Sequence, residues 1–162
     1  MRNNLSQMIS LSKVEEKLYR PADAFEHSRV TRLEHVNTTI VETPREGIIN
    51  VAKHIADVIR KREEVGQHVV LSLASGRTMR DLFTELVRMH KVEGLSFKNV
   101  IVFGSYEFYP LHDTTLGSMA QIQGQLLDHI DILPENIHTF PGDLPKEDID
   151  AFCNDYERAI AE

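Results

Sequence analysis

Four residues in one short turn, Ser75, Gly76, Arg77 and Thr78, are of types that suit the binding of a phosphate group. The hydroxyls of Ser75 and Thr78 are hydrogen-bond donors, and the planar, always-charged guanidinium of Arg77 fits phosphate oxygens. Gly76 lets the backbone approach a ligand closely. Because the turn has neither a Walker lysine nor a G-x-G-x-x-G pattern, two interpretations stay open. It binds phosphate, or Ser75 or Thr78 merely caps a helix.

A second candidate lies in the stretch GSYEFYPL, residues 104–111. Glu107 comes just after a short apolar run and has aromatic neighbours on both sides. A carboxyl group in such a place is expected to have a raised pKa and to act as a general acid or base. The alternative is a structural glutamate that caps a turn or pairs with a basic group. Tyr106 and Tyr109 serve equally well as packing residues or as ligands.

The elements that position both stretches follow from hydrophobic periodicity. The apolar runs Val69–Leu73 and Val100–Phe103 predict strands buried on both faces, and a helical pattern lies between them. The other predicted elements are a strand at Thr38–Glu42, a helix capped by Thr43 and ended by Gly66, a helix at Leu116–His129, a strand within Asn136–Phe140 and a helix at Lys146–Glu162. Alternating strands and helices predict an α/β fold with parallel strands, in which both candidate stretches lie at the carboxyl edge of the sheet.

Composition narrows the class of protein. The chain has 162 residues, 41% of them hydrophobic, and a net charge of −7, which is typical of one globular domain and disfavours nucleic acid as a partner. The single cysteine, Cys153, is expected to be a small packing residue in a protein of the cytoplasm. No apolar run is long enough to span a membrane, and no histidine or cysteine spacing indicates a metal site.

Two longer stretches carry a resemblance to a known family. LVRMHKVEGLSFKNVIVF, residues 86–103, and LLDHIDILPENIHTFPG, residues 126–142, resemble the glucosamine-6-phosphate deaminase (isomerase) family. The wider group includes 6-phosphogluconolactonases and sugar-phosphate-responsive regulator domains. The resemblance covers residues 38–162 and leaves residues 1–37 as an N-terminal arm. It implies a Rossmann-like, three-layer αβα fold with a mainly parallel sheet, in an oligomeric cytosolic enzyme.

The resemblance also implies a reaction and its residues. Family enzymes convert glucosamine 6-phosphate and water into fructose 6-phosphate and ammonia without a cofactor. The turn matches the family's phosphate loop at Gly76 and Thr78, Ser75 is a conservative replacement, and Arg77 replaces a small residue. Tyr106 stands where the family has its proton-shuttling aspartate, whereas Glu107 keeps the following glutamate.

The chain is also shorter than the family pattern, which continues for roughly a hundred residues and completes a doubly wound sheet. We therefore expect an incomplete fold, negligible deaminase activity and self-association as a dimer. The alternatives are a non-catalytic sugar-phosphate-binding module or regulator domain, and a 6-phosphogluconolactonase-like hydrolase.

Overall fold

The computed structural model of the chain describes residues 23–25 and 39–161. The predicted arm, residues 1–37, lies outside this part except for residues 23–25, and its boundary with the domain stays a prediction. From residue 41 onward the chain forms one compact unit, to which the helices and strands of the sheet belong.

The unit alternates helices and strands, as predicted for an α/β fold. Its main elements are α1 Pro44–Glu64, β1 Val69–Leu73, α2 Arg77–Glu93, β2 Val100–Gly104, α3 Ser118–Gln125, β3 Ile137–His138 and α4 Ile149–Ala161. Short 3-10 turns flank α3 and precede β3 and α4. The strands form one parallel sheet in the order β1-β2-β3, with Val69 opposite Val100 and Val102 opposite Ile137. The prediction of parallel strands is confirmed.

The entry into α1 confirms one prediction and overturns another. Thr43 is the N-cap, and its Oγ1 accepts a hydrogen bond of 3.2 Å from the backbone N–H of Glu46. The carboxylate of Glu46 accepts in turn from the N–H of Glu42 at 3.2 Å. The predicted strand at Thr38–Glu42 is wrong for its described residues 39–42, which form no strand. Local capping takes the N–H of Glu42, and this outweighs the β-propensity of the preceding residues.

Helices cover the two faces of the sheet unequally. The first three helices and one face of the sheet share a single hydrophobic core that contains Ala56, Phe83, Val102 and Ile122. Side chains alternate along a strand, so Phe103 points to the other face, where it meets Tyr156 of α4. That face is left open at β1, and 62% of Val70 is exposed. The prediction that both strands are buried on both faces therefore holds for β2 and fails for β1.

Three predicted elements are shorter than their patterns. The helix predicted at Leu116–His129 is reduced to α3, because 3-10 turns replace both of its ends. The strand predicted within Asn136–Phe140 keeps only Ile137 and His138, and the last helix begins as a 3-10 turn before α4. Cys153 is exposed on α4, so its predicted packing role is wrong.

Candidate functional site

The turn after β1 brings the chain to the N-terminus of α2. Gly76 is the N-cap, with φ 133° and ψ 173°, a backbone conformation that favours glycine. No side chain caps this end of the helix in the described part of the chain. The alternative in which Ser75 or Thr78 caps α2 is therefore wrong. Arg77 and Thr78 lie in the first helical turn, where backbone N–H groups and the helix dipole attract anions.

A cluster of three hydroxyl groups joins this turn to the rest of the site. Ser118 Oγ donates a hydrogen bond to Ser75 Oγ at 2.9 Å, and Ser75 Oγ is also 2.9 Å from the hydroxyl of Tyr106. The Tyr106 hydroxyl lies 3.4 Å from the backbone oxygen of Ser75, to which it donates. We call Ser75, Tyr106 and Ser118 the hydroxyl cluster. It connects the turn after β1, the loop after β2 and the start of α3.

The hydroxyl cluster affects which of the predicted phosphate-binding residues can still contact a ligand. Ser75 Oγ already has two protein partners, which leaves Arg77, Thr78 and the backbone after Gly76 to meet a ligand. Ser118 is fully buried, and sequence reasoning missed its contact with Ser75. A serine that follows a glycine at a helix start is typical of an ordinary cap. The sequence holds no signal for a partner 43 positions away.

Glu107 is bound to the N-terminus of α3. Its Oε1 accepts from the N–H of Ser118 at 2.7 Å and from the N–H of Phe108 at 2.9 Å, and its Oε2 accepts from Met119 at 3.0 Å. Partial burial raises the pKa of Glu107, but these three N–H donors outweigh burial and lower the pKa overall. The expectation of a raised pKa is wrong, and the alternative of a structural capping glutamate describes the geometry.

Two glycines allow the loop after β2 to pack closely. A Cβ on Gly117 would lie 2.7 Å from Oε2 of Glu107 and 2.9 Å from Cδ2 of Leu111. A Cβ on Gly142 would lie 2.7 Å from Cβ of Leu111, whose N–H donates to the Gly142 oxygen at 2.7 Å. The absence of a side chain at Gly117 thus leaves room for the carboxylate of Glu107 beside α3.

Tyr156 of α4 fixes the carboxyl end of β2. Its hydroxyl donates to the backbone oxygen of Gly104 at 2.9 Å, and its ring packs against Phe103 and Phe140. Burial raises the pKa of the phenol. Apolar periodicity placed Tyr156 on the apolar face of the last helix but did not identify the partner of its hydroxyl.

An apolar cavity of about 370 Å³ lies beside the loop after β2. Its walls include Tyr106, Phe108 and Tyr109 of the loop, Phe140, and Phe152 of α4. The cavity and the hydroxyl cluster share Tyr106, whose side chain is therefore at the border between an apolar and a polar region.

Two further findings concern metals and membranes. In residues 23–25 and 39–161, no group of three or more histidine, cysteine, aspartate or glutamate side chains is placed to hold a metal ion. In the same residues, no helix has the length and apolar character needed to cross a membrane.

Residues 42–162 match the sequence profile of the family described as glucosamine-6-phosphate isomerases/6-phosphogluconolactonase. A putative glucosamine-6-phosphate deaminase-like protein of Bacteroides thetaiotaomicron is 44% identical over 161 residues, which are 99% of this chain and 24% of that protein. A glucosamine-6-phosphate deaminase of Porphyromonas gingivalis is 40% identical over 94 residues, which are 56% of this chain and 34% of that enzyme. The chain thus spans between a quarter and about a third of the length of these relatives.

Solved structures agree with the observed architecture. A monomeric glucosamine-6-phosphate deaminase superposes with a TM-score of 0.69 at 26% identity, over 78% of this chain and 50% of that one. A 6-phosphogluconolactonase from Thermotoga maritima superposes with a TM-score of 0.61 at 24% identity, over 76% of this chain and 52% of that one. The second likeness concerns the fold alone. The Rossmann-like α/β fold predicted from the sequence is confirmed.

Proposed function

The chain belongs to the glucosamine-6-phosphate isomerase/6-phosphogluconolactonase family, and from that membership we propose that it binds a sugar phosphate at the turn Ala74–Thr78. The backbone N–H groups at the start of α2 face the phosphate. Arg77 adds a charge-assisted hydrogen bond, and Thr78 adds a hydroxyl donor. Ser75 stabilises the turn through its hydrogen bonds to Tyr106 and Ser118 in the hydroxyl cluster.

The observation that supports this proposal is the N-terminus of α2. This helix has 17 residues, so its dipole is well developed, and no side chain of the described residues caps it. The turn lies at the carboxyl edge of a parallel sheet, which is where open α/β sheets bind ligands. The relative from Porphyromonas gingivalis is named a glucosamine-6-phosphate deaminase, an enzyme that acts on a phosphorylated amino sugar. A sugar phosphate is therefore the ligand class to test.

Calorimetric titration with fructose 6-phosphate tests the proposal. We expect Arg77→Ala to weaken binding by about tenfold or more, because a hydrogen bond to a charged group contributes about 1.5–3 kcal/mol. Arg80→Ala is the matched control, since Arg80 is an exposed arginine of the same helix beyond the turn. Equal losses in the two variants would contradict a specific role for the turn.

We further propose that this chain recognises the ligand without deaminating it. A deaminase of this type needs a base to move a proton between neighbouring carbons. Both carboxylate oxygens of Glu107 bond to backbone N–H groups, and Tyr106 offers a phenol, which is a poor base at neutral pH. This favours the non-catalytic sugar-phosphate-binding module over the deaminase alternative for this chain.

Turnover assays check this second part. We expect no release of ammonia from glucosamine 6-phosphate and no hydrolysis of 6-phosphogluconolactone above the rate without protein. Ammonia release that Glu107→Gln abolishes would restore Glu107 as a catalytic residue. Lactone hydrolysis that Arg77→Ala abolishes would favour the hydrolase instead.

We also propose that the chain acts in the cytoplasm as a homodimer. Its exposed, unpaired cysteine suits a reducing compartment. Val70 presents an apolar side chain on the open face of β1, and such surface favours association. Sedimentation over a range of concentrations tests the dimer, and Val70→Lys should shift it toward monomer. A monomer at every concentration would contradict the assembly.

A further inference from the structure

The charge around the proposed phosphate turn is one-sided. The N-terminus of α2 presents the positive end of its dipole, and Arg77 adds a full positive charge beside it. The side chains of the described residues that hydrogen-bond to Ser75 are Tyr106 and Ser118, and both are uncharged hydroxyls. The helix N-terminus, Arg77 and these two hydroxyl groups all suit an anion.

The carboxylate that follows Tyr106 does not alter this balance. Glu107 points to the start of α3, where the N–H groups of Ser118 and Met119 take up its two oxygens, and Phe108 supplies a third donor. A carboxylate held in this way interacts with a helix dipole rather than with a ligand cation. The side chain of the loop after β2 that contacts the turn is therefore a phenol, which brings no counter-charge for a cation.

The position of Tyr106 is fixed by its contacts. Its hydroxyl is held by the side chain and the backbone oxygen of Ser75, and its ring makes an edge contact with Phe108 at 5.9 Å. Ser118, fully buried, holds Ser75 from the other side. Because 40% of Tyr106 remains exposed, a ligand anchored at the turn can reach the side chain. The phenol oxygen, whose proton goes to the backbone oxygen of Ser75, can still accept a hydrogen bond from a sugar hydroxyl.

We propose that Tyr106 is a specificity-determining residue that makes this site prefer sugar phosphates without a free amine over amino-sugar phosphates. This inference rests on the proposed function, because it assumes that the phosphate binds at the turn. A protonated amine next to Tyr106 gives up part of its hydration without gaining a counter-ion. A hydroxyl in the same place donates to the phenol oxygen and, being uncharged, gives up less hydration. The ligand class is a hexose phosphate whose sugar ring carries no charge.

The test compares glucose 6-phosphate with glucosamine 6-phosphate, which differ at one carbon, a hydroxyl against a protonated amine. Inorganic phosphate is the reference ligand. In the wild-type chain we expect glucose 6-phosphate to bind at least as tightly as glucosamine 6-phosphate. Tyr106→Asp should shift the ratio of the two affinities by about fivefold toward the amino sugar, the size of a partly exposed ion pair. Tyr106→Asn, which has the shape of Asp without its charge, should leave the ratio near that of the wild type.

The possible outcomes distinguish a failure of the role of Tyr106 from a failure of the proposed phosphate site. If both sugars bind better than phosphate but the wild type clearly prefers glucosamine 6-phosphate, the role of Tyr106 is overturned and the phosphate turn stands. An equal shift in Tyr106→Asp and Tyr106→Asn also overturns it, because charge is then irrelevant. If neither sugar exceeds inorganic phosphate, both proposals fail. Should a Tyr106 variant not fold, the wild-type ratio alone decides.

Discussion

Removing the carboxylate of Glu107 should loosen the start of α3. Glu107→Ala leaves three backbone N–H groups, those of Phe108, Ser118 and Met119, without their acceptor. A hydrogen bond to a charged group contributes about 1.5–3 kcal/mol, but loss of a helix cap costs about 0.5–2 kcal/mol because water replaces part of the contact. We therefore expect the free energy of unfolding to fall by about 2–4 kcal/mol, less than three independent bonds would give.

Glu107→Gln separates the charge from the shape of the side chain. The amide oxygen can keep the place of Oε1, which accepts from Ser118 and Phe108, whereas the amide nitrogen then faces the N–H of Met119. We expect a loss of about 1–2 kcal/mol at neutral pH. An amide nitrogen at Oε2 repels the donor that the carboxylate attracted.

The effect should depend on pH in a defined direction. The folded chain lowers the pKa of Glu107, so folding is favoured by the ionised form. This contribution is complete above the pKa of an unfolded glutamate, about 4.3, and is lost as the pH falls through the folded-state pKa. The stability difference between the wild type and Glu107→Gln should therefore shrink below about pH 4.3.

Urea unfolding near neutral pH measures the stability lost in Glu107→Ala and in Glu107→Gln relative to the wild type. The same experiment at about pH 3.5 measures how these losses change in acid. Glu135→Gln is the control, because Glu135 is exposed, and it should change stability by less than about 0.5 kcal/mol. A Glu107→Gln variant as stable as the wild type at neutral pH, or a difference that grows in acid, would refute the capping role.

Three further substitutions test other contacts of the described residues. Gly117→Ala should destabilise the fold by about 1–3 kcal/mol in urea unfolding, because its Cβ meets Glu107 and Leu111 below 3.0 Å, and an unchanged midpoint would contradict this packing. Tyr156→Phe should lower the free energy of unfolding by about 1 kcal/mol, because the hydrogen bond to Gly104 is lost. Amide hydrogen exchange at the end of β2 should become faster. Asp131→Asn should weaken the bonds of Asp131 to the N–H of Phe97 and to Ser96. Burial raises the pKa of Asp131, but these bonds lower it overall. The loss of stability in Asp131→Asn should therefore be complete above about pH 4 and become smaller in acid.

Local signals in the sequence were enough to predict where α1 begins and where α1 and α2 end. Thr43, Pro44 and Glu46 define the start of α1, and Gly66 and Gly94 adopt positive φ angles where α1 and α2 end. Each of these residues affects the backbone only within a few positions along the sequence. A pattern that short is visible in the chain without knowledge of the tertiary structure.

The features that sequence reasoning missed depend on distant contacts. The pKa of Glu107 was expected to rise from its apolar surroundings, yet donors 11 and 12 positions later lower it. The bond from Ser118 to Ser75 and the bond from Tyr156 to Gly104 join elements that only folding brings together. The exposure of Cys153 has the same origin, because it depends on which part of the sheet α4 covers. Periodicity gives the apolar face of a helix but not the extent of what lies against it.

The hydroxyl cluster also has a consequence for the order in which the chain folds. The bond of Ser75 to Tyr106 spans 31 positions, the same separation as the paired residues Val69 and Val100, whereas the bond of Ser75 to Ser118 spans 43 positions. Once β1 and β2 have paired, Tyr106 lies near Ser75 at little further cost in loop-closure entropy, but Ser118 must still be brought in by the longer segment that leads to α3. The hydroxyl cluster should therefore be complete only after β1 and β2 have paired, and the bond from Ser118 should be the first of its bonds to open in a partial unfolding step. Substitutions in the cluster can then alter binding while the fold beneath persists.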